Sequence, residues 1–270
     1  MTANGTFSRQ DAMAALAWQL DLGADECIAD APVNRYDAPP PPKLPKMGTG
    51  SNIAPLGQST ATQAAPVMAA IEESAAEVAA LLAKRATTLD ALRNAMATFE
   101  HCALKKGARN LVFADGIPGA RIMVVGEAPG RDEDLAGKPF VGRAGQFLDR
   151  MFDAIGLARD RSQAPIYITN VLPWRPPQNR DPDADEIAMM LPFLTRHIEL
   201  AAPEMLVLMG NTACKALLGR TGITRMRGTW TQAAGRPALP MFHPAAVLRD
   251  PIKKRDCWAD LLTLQDRLRA

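Results

Sequence analysis

The stretch RIMVVGEAPGRDED (121–134) decides how the chain is read. Its apolar run, Ile122 to Val125, has the length of a strand buried on both faces, and Gly126 ends it with a turn rich in glycine and acids. Three more runs repeat the design: PIYIT (165–169), EMLVLM (204–209) and ALPMF (238–242). Helical patterning fills the gaps near 143–156, 185–200 and 211–219, and a last helix covers about 254–268. Strands that alternate with helices of this length predict an α/β fold, a three-layer α/β/α arrangement around a central, mostly parallel sheet. Ligands of such sheets bind beyond the carboxyl ends of the strands. That rule singles out GEAPG, NVLPWRPPQNR, GNTA and HPAAVLR.

Upstream, helical patterning runs from Val67 to about Lys84, and Thr87-Thr88-Leu89-Asp90 reads as a helix start with a capping-box acid. Leu89, Leu92, Met96 and Phe99 then share one helix face. A weak amphipathic helix carrying Trp18 and Leu22 is expected over residues 11–29, and an extended proline-rich spacer, with APPPPKLPK at 38–46, over residues 31–66. The expected organisation is a leader over 1–66 and one domain over 67–270.

The chain has 270 residues, 47% of them hydrophobic, enough for a packed core, and a net charge of +2. The first hundred residues are net acidic and the remainder net basic, a distribution compatible with a polyanionic partner. No apolar window is long enough for a membrane span, and the N-terminus lacks a basic start followed by an apolar run, so a cytoplasmic protein is expected. Cys27, Cys102, Cys214 and Cys257 are widely spaced, without CxxC, and read as reduced structural thiols.

The loops after the strands hold the residues with chemistry. Gly126 and Gly130 allow close backbone approach, and Glu127, Asp132, Glu133 and Asp134 place carboxylates at the mouth. Neither GxGxxG nor GxxxxGK[ST] occurs, which counts against a phosphate-cradling nucleotide loop. In KPFVGRAGQFLDRMF (138–152), Phe140 can stack on a base or serve the core, and Gly142 and Gly145 open a helix start suited to phosphate. Asn170 ends a strand with an amide able to read a base edge or cap a turn. Arg175, Asn179 and Arg180 sit on a proline-stiffened loop that can hold a DNA backbone. His243 follows a strand and precedes Arg249, Lys253, Lys254 and Arg255, while RTGITRMRGTW (220–230) adds Arg220, Arg225 and Arg227.

Taken in order, GEAPGRDED, GKPFVGRAGQFLD, YITNVLPWRPPQNRDP, RGTW and FHPAAVLR resemble the consecutive motifs of the family-four uracil-DNA glycosylases, over about residues 99–265. The resemblance implies base flipping and hydrolysis of the N-glycosidic bond of uracil in DNA. It implies that Phe140 stacks on the flipped base, that Asn170 bonds its polar edge, and that Ala128 contributes backbone to the pocket. Glu127, Glu133 and His243 become the expected catalytic groups. Gly142, Arg143, Arg175, Asn179, Arg180, Arg227 and Arg249 become the expected DNA contacts. A monomer acting on uracil-containing DNA is expected; the rival is a non-catalytic binder of DNA or deaminated bases.

The sequence departs from that family at its iron–sulfur cluster. The four cysteine positions are here Phe99, Cys102, Trp174 and a position near Met190. A cluster needs thiolates, so no metal cofactor is expected, and the large apolar replacements are expected to fill its volume as a small core.

Overall fold

The computed structural model describes residues 74–269. The expected leader helix over 11–29, the proline-rich spacer and the first turns expected after Val67 lie outside the described residues. Helix α1 spans Ala75–Arg85 and α2 spans Leu89–Thr98. Ser74 starts α1 with a complete capping box, in which its side chain accepts from Glu77 N while Glu77 reaches back to its backbone N–H. The start of α2 differs from the sequence expectation. Thr88 is the cap and accepts from Ala91 N, so Asp90 falls in the second helical position and completes no capping box. The face expected of α2 is the one that packs: Leu92 and Met96 are buried, as is Phe99 just beyond the helix.

The sheet contains six strands: β1 (Asp115–Gly116), β2 (Ile122–Gly126), β3 (Ile166–Asn170), β4 (Met205–Met209), β5 (Thr231–Ala233) and β6 (Arg236–Met241). Their order is β1-β3-β2-β4-β6-β5. The four inner strands run parallel, and both edge strands are antiparallel to their neighbours. The inner four are those the apolar runs mark. The edge strands are too short and polar to carry a period.

Alternate residues of each inner strand serve different layers. On one face, Met123 and Val125 join Tyr167, Leu206 and Leu208 in a core built with α1, α2, α5 (Ala184–Ala201) and α6 (Gly210–Leu218). On the other, Ile122 and Val124 join Ile166, Ile168, Val207 and Leu239 against α4 (Arg143–Asp153), α8 (Pro244–Arg249) and α9 (Lys254–Arg269). The short helices α3 (Arg131–Ala136) and α7 (Ile223–Met226) complete the connections. Among the described residues no helix is long and apolar enough to cross a membrane. Cys102, Cys214 and Cys257 are buried and unpaired.

Candidate active site

The segments that follow β2, β3 and β6 meet at one cavity of about 300 Å³, a volume at the low end for small-molecule pockets. Glu127, Ala128, Phe140, Asn170 and His243 all line it. The floor follows from one missing side chain. Gly126 pairs with Asn170 across β2 and β3. A Cβ on Gly126 would lie 2.3 Å from Asn170 Oδ1 and 2.5 Å from the Phe140 ring. Glycine therefore lets the amide and the aromatic ring converge from two different elements. Asn170 is 6% exposed, and its Oδ1 is a buried acceptor with no hydrogen-bond partner among the described residues. A buried polar atom left this way costs free energy until a ligand satisfies it.

Phe140 reaches this place through strained backbone, with φ +54°, a conformation that costs a non-glycine residue on the order of 1–3 kcal/mol. Three devices hold it. Gly145 gives the loop room, because a Cβ there would lie 1.8 Å from the Phe140 carbonyl oxygen. Arg159 donates to the carbonyls of Pro139 (3.1 Å) and Phe140 (3.0 Å) while paired with Asp115 and Asp149. Glu133 accepts from the backbone N–H groups of Gly130 (3.1 Å), Val141 (3.0 Å) and Gly142 (2.9 Å).

The four acids of the GEAPGRDED turn therefore do different things. Glu127 faces the cavity. Glu133 lines its edge with its carboxylate spent on loop N–H groups. Asp134 is buried and accepts from the backbone of Arg109 and Asn110. Asp132 is exposed. At Gly142, expected to open a helix start suited to phosphate, the backbone N–H donates to Glu133 Oε1.

The first turn of α6 meets both Glu127 and His243. Thr212 Oγ1 donates to Glu127 Oε2 at 2.5 Å. Burial pushes the Glu127 carboxyl above its ordinary pKa, and the Thr212 hydroxyl works against that shift. Gly210 has φ +87°, and a Cβ on it would sit 3.2 Å from His243 Cβ. His243 caps α8 and accepts from Ala245 N through Nδ1 at 3.2 Å. Its proton therefore belongs on Nε2. Burial, with the nearby Arg249 charge second, lowers its pKa to about 4, so the ring is neutral at pH 7. Its centroid lies 5.5 Å from that of Phe140.

The rim is cationic. Asn179, Arg180 and Arg249 line the cavity mouth. Arg175 donates to Asn179 Oδ1 at 2.7 Å, and Arg180 is held by Glu186. Arg143 is exposed at the start of α4. Arg227 departs from the expectation that it belongs to this set. Its guanidinium is engaged by the buried Asp260 and by Asp256 O, an ion pair that ties α7 to α9.

The positions where the resembled family carries cluster cysteines form part of the core. Phe99, Cys102, Trp174 and Met190 are each at most 2% exposed and belong to one apolar cluster. The Phe99 ring packs edge-on against Phe193 at 5.4 Å. Burial pushes the lone Cys102 thiol upward, away from the thiolate that iron needs. Among the described residues no group of three or more His, Cys, Asp or Glu side chains could hold a metal ion. These residues do not fit a four-iron cluster. Trp174→Ala, which removes a buried aromatic from this cluster, is expected to lower unfolding free energy by about 3–5 kcal/mol in denaturant titration. A loss below about 1 kcal/mol would show that Trp174 does not support the fold.

Sequence reading missed Thr212 and Arg159. GNTA was marked as a loop after a strand, but nothing in its pattern links Thr212 to a carboxylate 85 residues earlier. Arg159 lies in a connection without apolar period, and its role appears only when the Phe140 loop folds over it.

The family description "Uracil DNA glycosylase superfamily" matches residues 113–262. The chain is 38% identical over 174 residues to the type-4 uracil-DNA glycosylase of Sulfurisphaera tokodaii, covering 61% of this chain and 77% of that protein. It is 38% identical over 184 residues to the type-4 enzyme of Archaeoglobus fulgidus, covering 64% and 89%. With the type-4 enzyme of Thermotoga maritima it shares 38% over 154 residues, covering 55% and 77%.

Proposed function

The chain belongs to the uracil DNA glycosylase superfamily, and from that membership and the pocket we infer that it is a DNA-repair glycosylase hydrolysing the bond between uracil and deoxyribose. The observation that carries the reading is the buried, unpartnered Asn170 Oδ1 beneath the Phe140 ring. Uracil offers N3–H to that acceptor and O4 to the amide N–H, and its flat face suits the phenyl ring. A base reaches such a cavity only when flipped out of the helix.

In this reading the bond from C1′ to N1 breaks with its electron pair passing to the base. Negative charge collects on uracil O2 and positive charge on the sugar. The neutral His243 donates Nε2–H to O2, where it counts most as charge develops. Glu127 offsets the sugar cation and accepts the proton of the water that attacks C1′. Glu133 acts by holding the loop that carries Phe140. Arg143, Arg175, Asn179, Arg180 and Arg249 hold phosphates around the flipped nucleotide, while Arg227 serves the fold. We further propose that it acts on uracil-containing DNA as a monomer in the cytoplasm.

A duplex carrying one U·G pair, treated with the protein and then alkali, should be cut at the uracil, while C·G and T·A controls stay whole. Binding without cutting would favour the non-catalytic alternative. We further infer that excision proceeds without an iron–sulfur cluster, because Phe99, Trp174 and Met190 leave one thiol where four are needed. Protein purified without air should be colourless, carry no stoichiometric iron and remain active after chelation. Four irons per chain would overturn this.

A further inference from the structure

The tripeptide Gly210-Asn211-Thr212 touches both reacting groups without belonging to either. Gly210 seats His243, and Thr212 bonds Glu127. Asn211 Oδ1 accepts from Gly222 N (3.0 Å) and Ile223 N (2.9 Å), fastening the turn to the start of α7. Thr212 is 9% exposed, so its hydroxyl has little access to competing water. The donor also belongs to the α6 N-terminal turn, where a carboxylate is favoured by the helix dipole.

We propose that Thr212 is a positioning residue for excision, holding Glu127 Oε2 so that Oε1 is presented to the water that attacks C1′. An unheld glutamate in a cavity this size would sample several rotamers, only some of them facing C1′. The hydroxyl also favours the ionised carboxylate against the burial that penalises it. The other groups facing Glu127 are His243 and Arg249 from the α8 side, Asp181 and Arg180 from the loop after β3, and Glu133 from α3. His243, with its pKa lowered to about 4, stays almost entirely neutral across the pH range tested. This inference rests on the excision reading, with Glu127 as the group that takes the proton of water.

Two variants separate hydroxyl from packing. Thr212→Val keeps the shape and loses the donor; Thr212→Ser keeps the donor and loses a methyl. Single-turnover excision should be followed from pH 5 to 9, alongside a carbon-13 NMR titration of the Glu127 carboxyl, assigned by its absence in Glu127→Gln. The valine variant should bind DNA normally, lose rate by about tenfold at the acid end, and titrate Glu127 at higher pH. Serine should restore both. A valine variant with the wild-type profile would overturn the proposal. So would a uniform rate loss with unchanged carboxyl titration that serine fails to restore, which would make Thr212 a packing residue. If the wild-type protein excised nothing, the functional reading would fail, while the NMR titration would still report whether Thr212 governs Glu127.

Discussion

Asn170→Asp is expected to reduce single-turnover excision of uracil by at least about a hundredfold, with folding intact. A polar site built for one donor and acceptor pattern discriminates strongly, because a mismatch leaves buried groups unpaired. Aspartate has the shape of asparagine but cannot donate while ionised. It would keep an acceptor for N3–H and set a negative oxygen against uracil O4. Asn170 is buried against Gly126 and Phe140, so solvent has little access to relieve the mismatch. The same pattern explains rejection of cytosine, which presents an acceptor at N3 and a donor at N4. Rates on U·G duplex under enzyme excess, with a melting curve for each protein, provide the check. A rate within threefold of wild type would remove Asn170 from base recognition.

His243→Ala is expected to lower the single-turnover rate by about 10²–10³, the cost of removing one oxyanion donor, with DNA affinity changed little. Charge on O2 develops in the transition state, so the lost bond belongs there and not in the bound ground state. The protonation state sharpens the test. The pKa of His243 is depressed to about 4 from its ordinary 6.5. The neutral ring therefore persists on lowering the pH through 6.5, and protonation sets in only toward 4. The wild-type to variant rate ratio should stay flat from pH 5.5 to 8. A ratio that climbs as pH falls through 6.5 would mean that imidazolium is the active form. Equal losses in rate and affinity would make His243 a docking residue.

These two residues were legible in the sequence for a shared reason. Each stands directly at the end of an apolar run, and a parallel sheet delivers strand ends to one edge whatever its helices do. Phe140 and Glu127 were legible through glycines, whose spacing announces backbone that must bend or be approached closely. The four inner strands followed from short continuous apolar runs, and the major helices from hydrophobic period. The two-residue β1 and three-residue β5 carry no period, because edge pairing needs backbone and little else.

Partnership between charged side chains is where the sequence ran out. Glu133 and Glu127 lie six residues apart in one acidic turn, and composition treats them alike. Tertiary structure gave one to three backbone N–H groups and the other to Thr212 and the cavity. Arg227 and Arg249 read alike as cations near the mouth, yet Asp260, a buried residue 33 positions away on α9, claims the first. Apolar burial is non-directional and leaves a periodic trace along the chain. A hydrogen bond or ion pair is directional, formed by whichever partner the fold carries within about 3 Å, and that choice was made only when distant segments met.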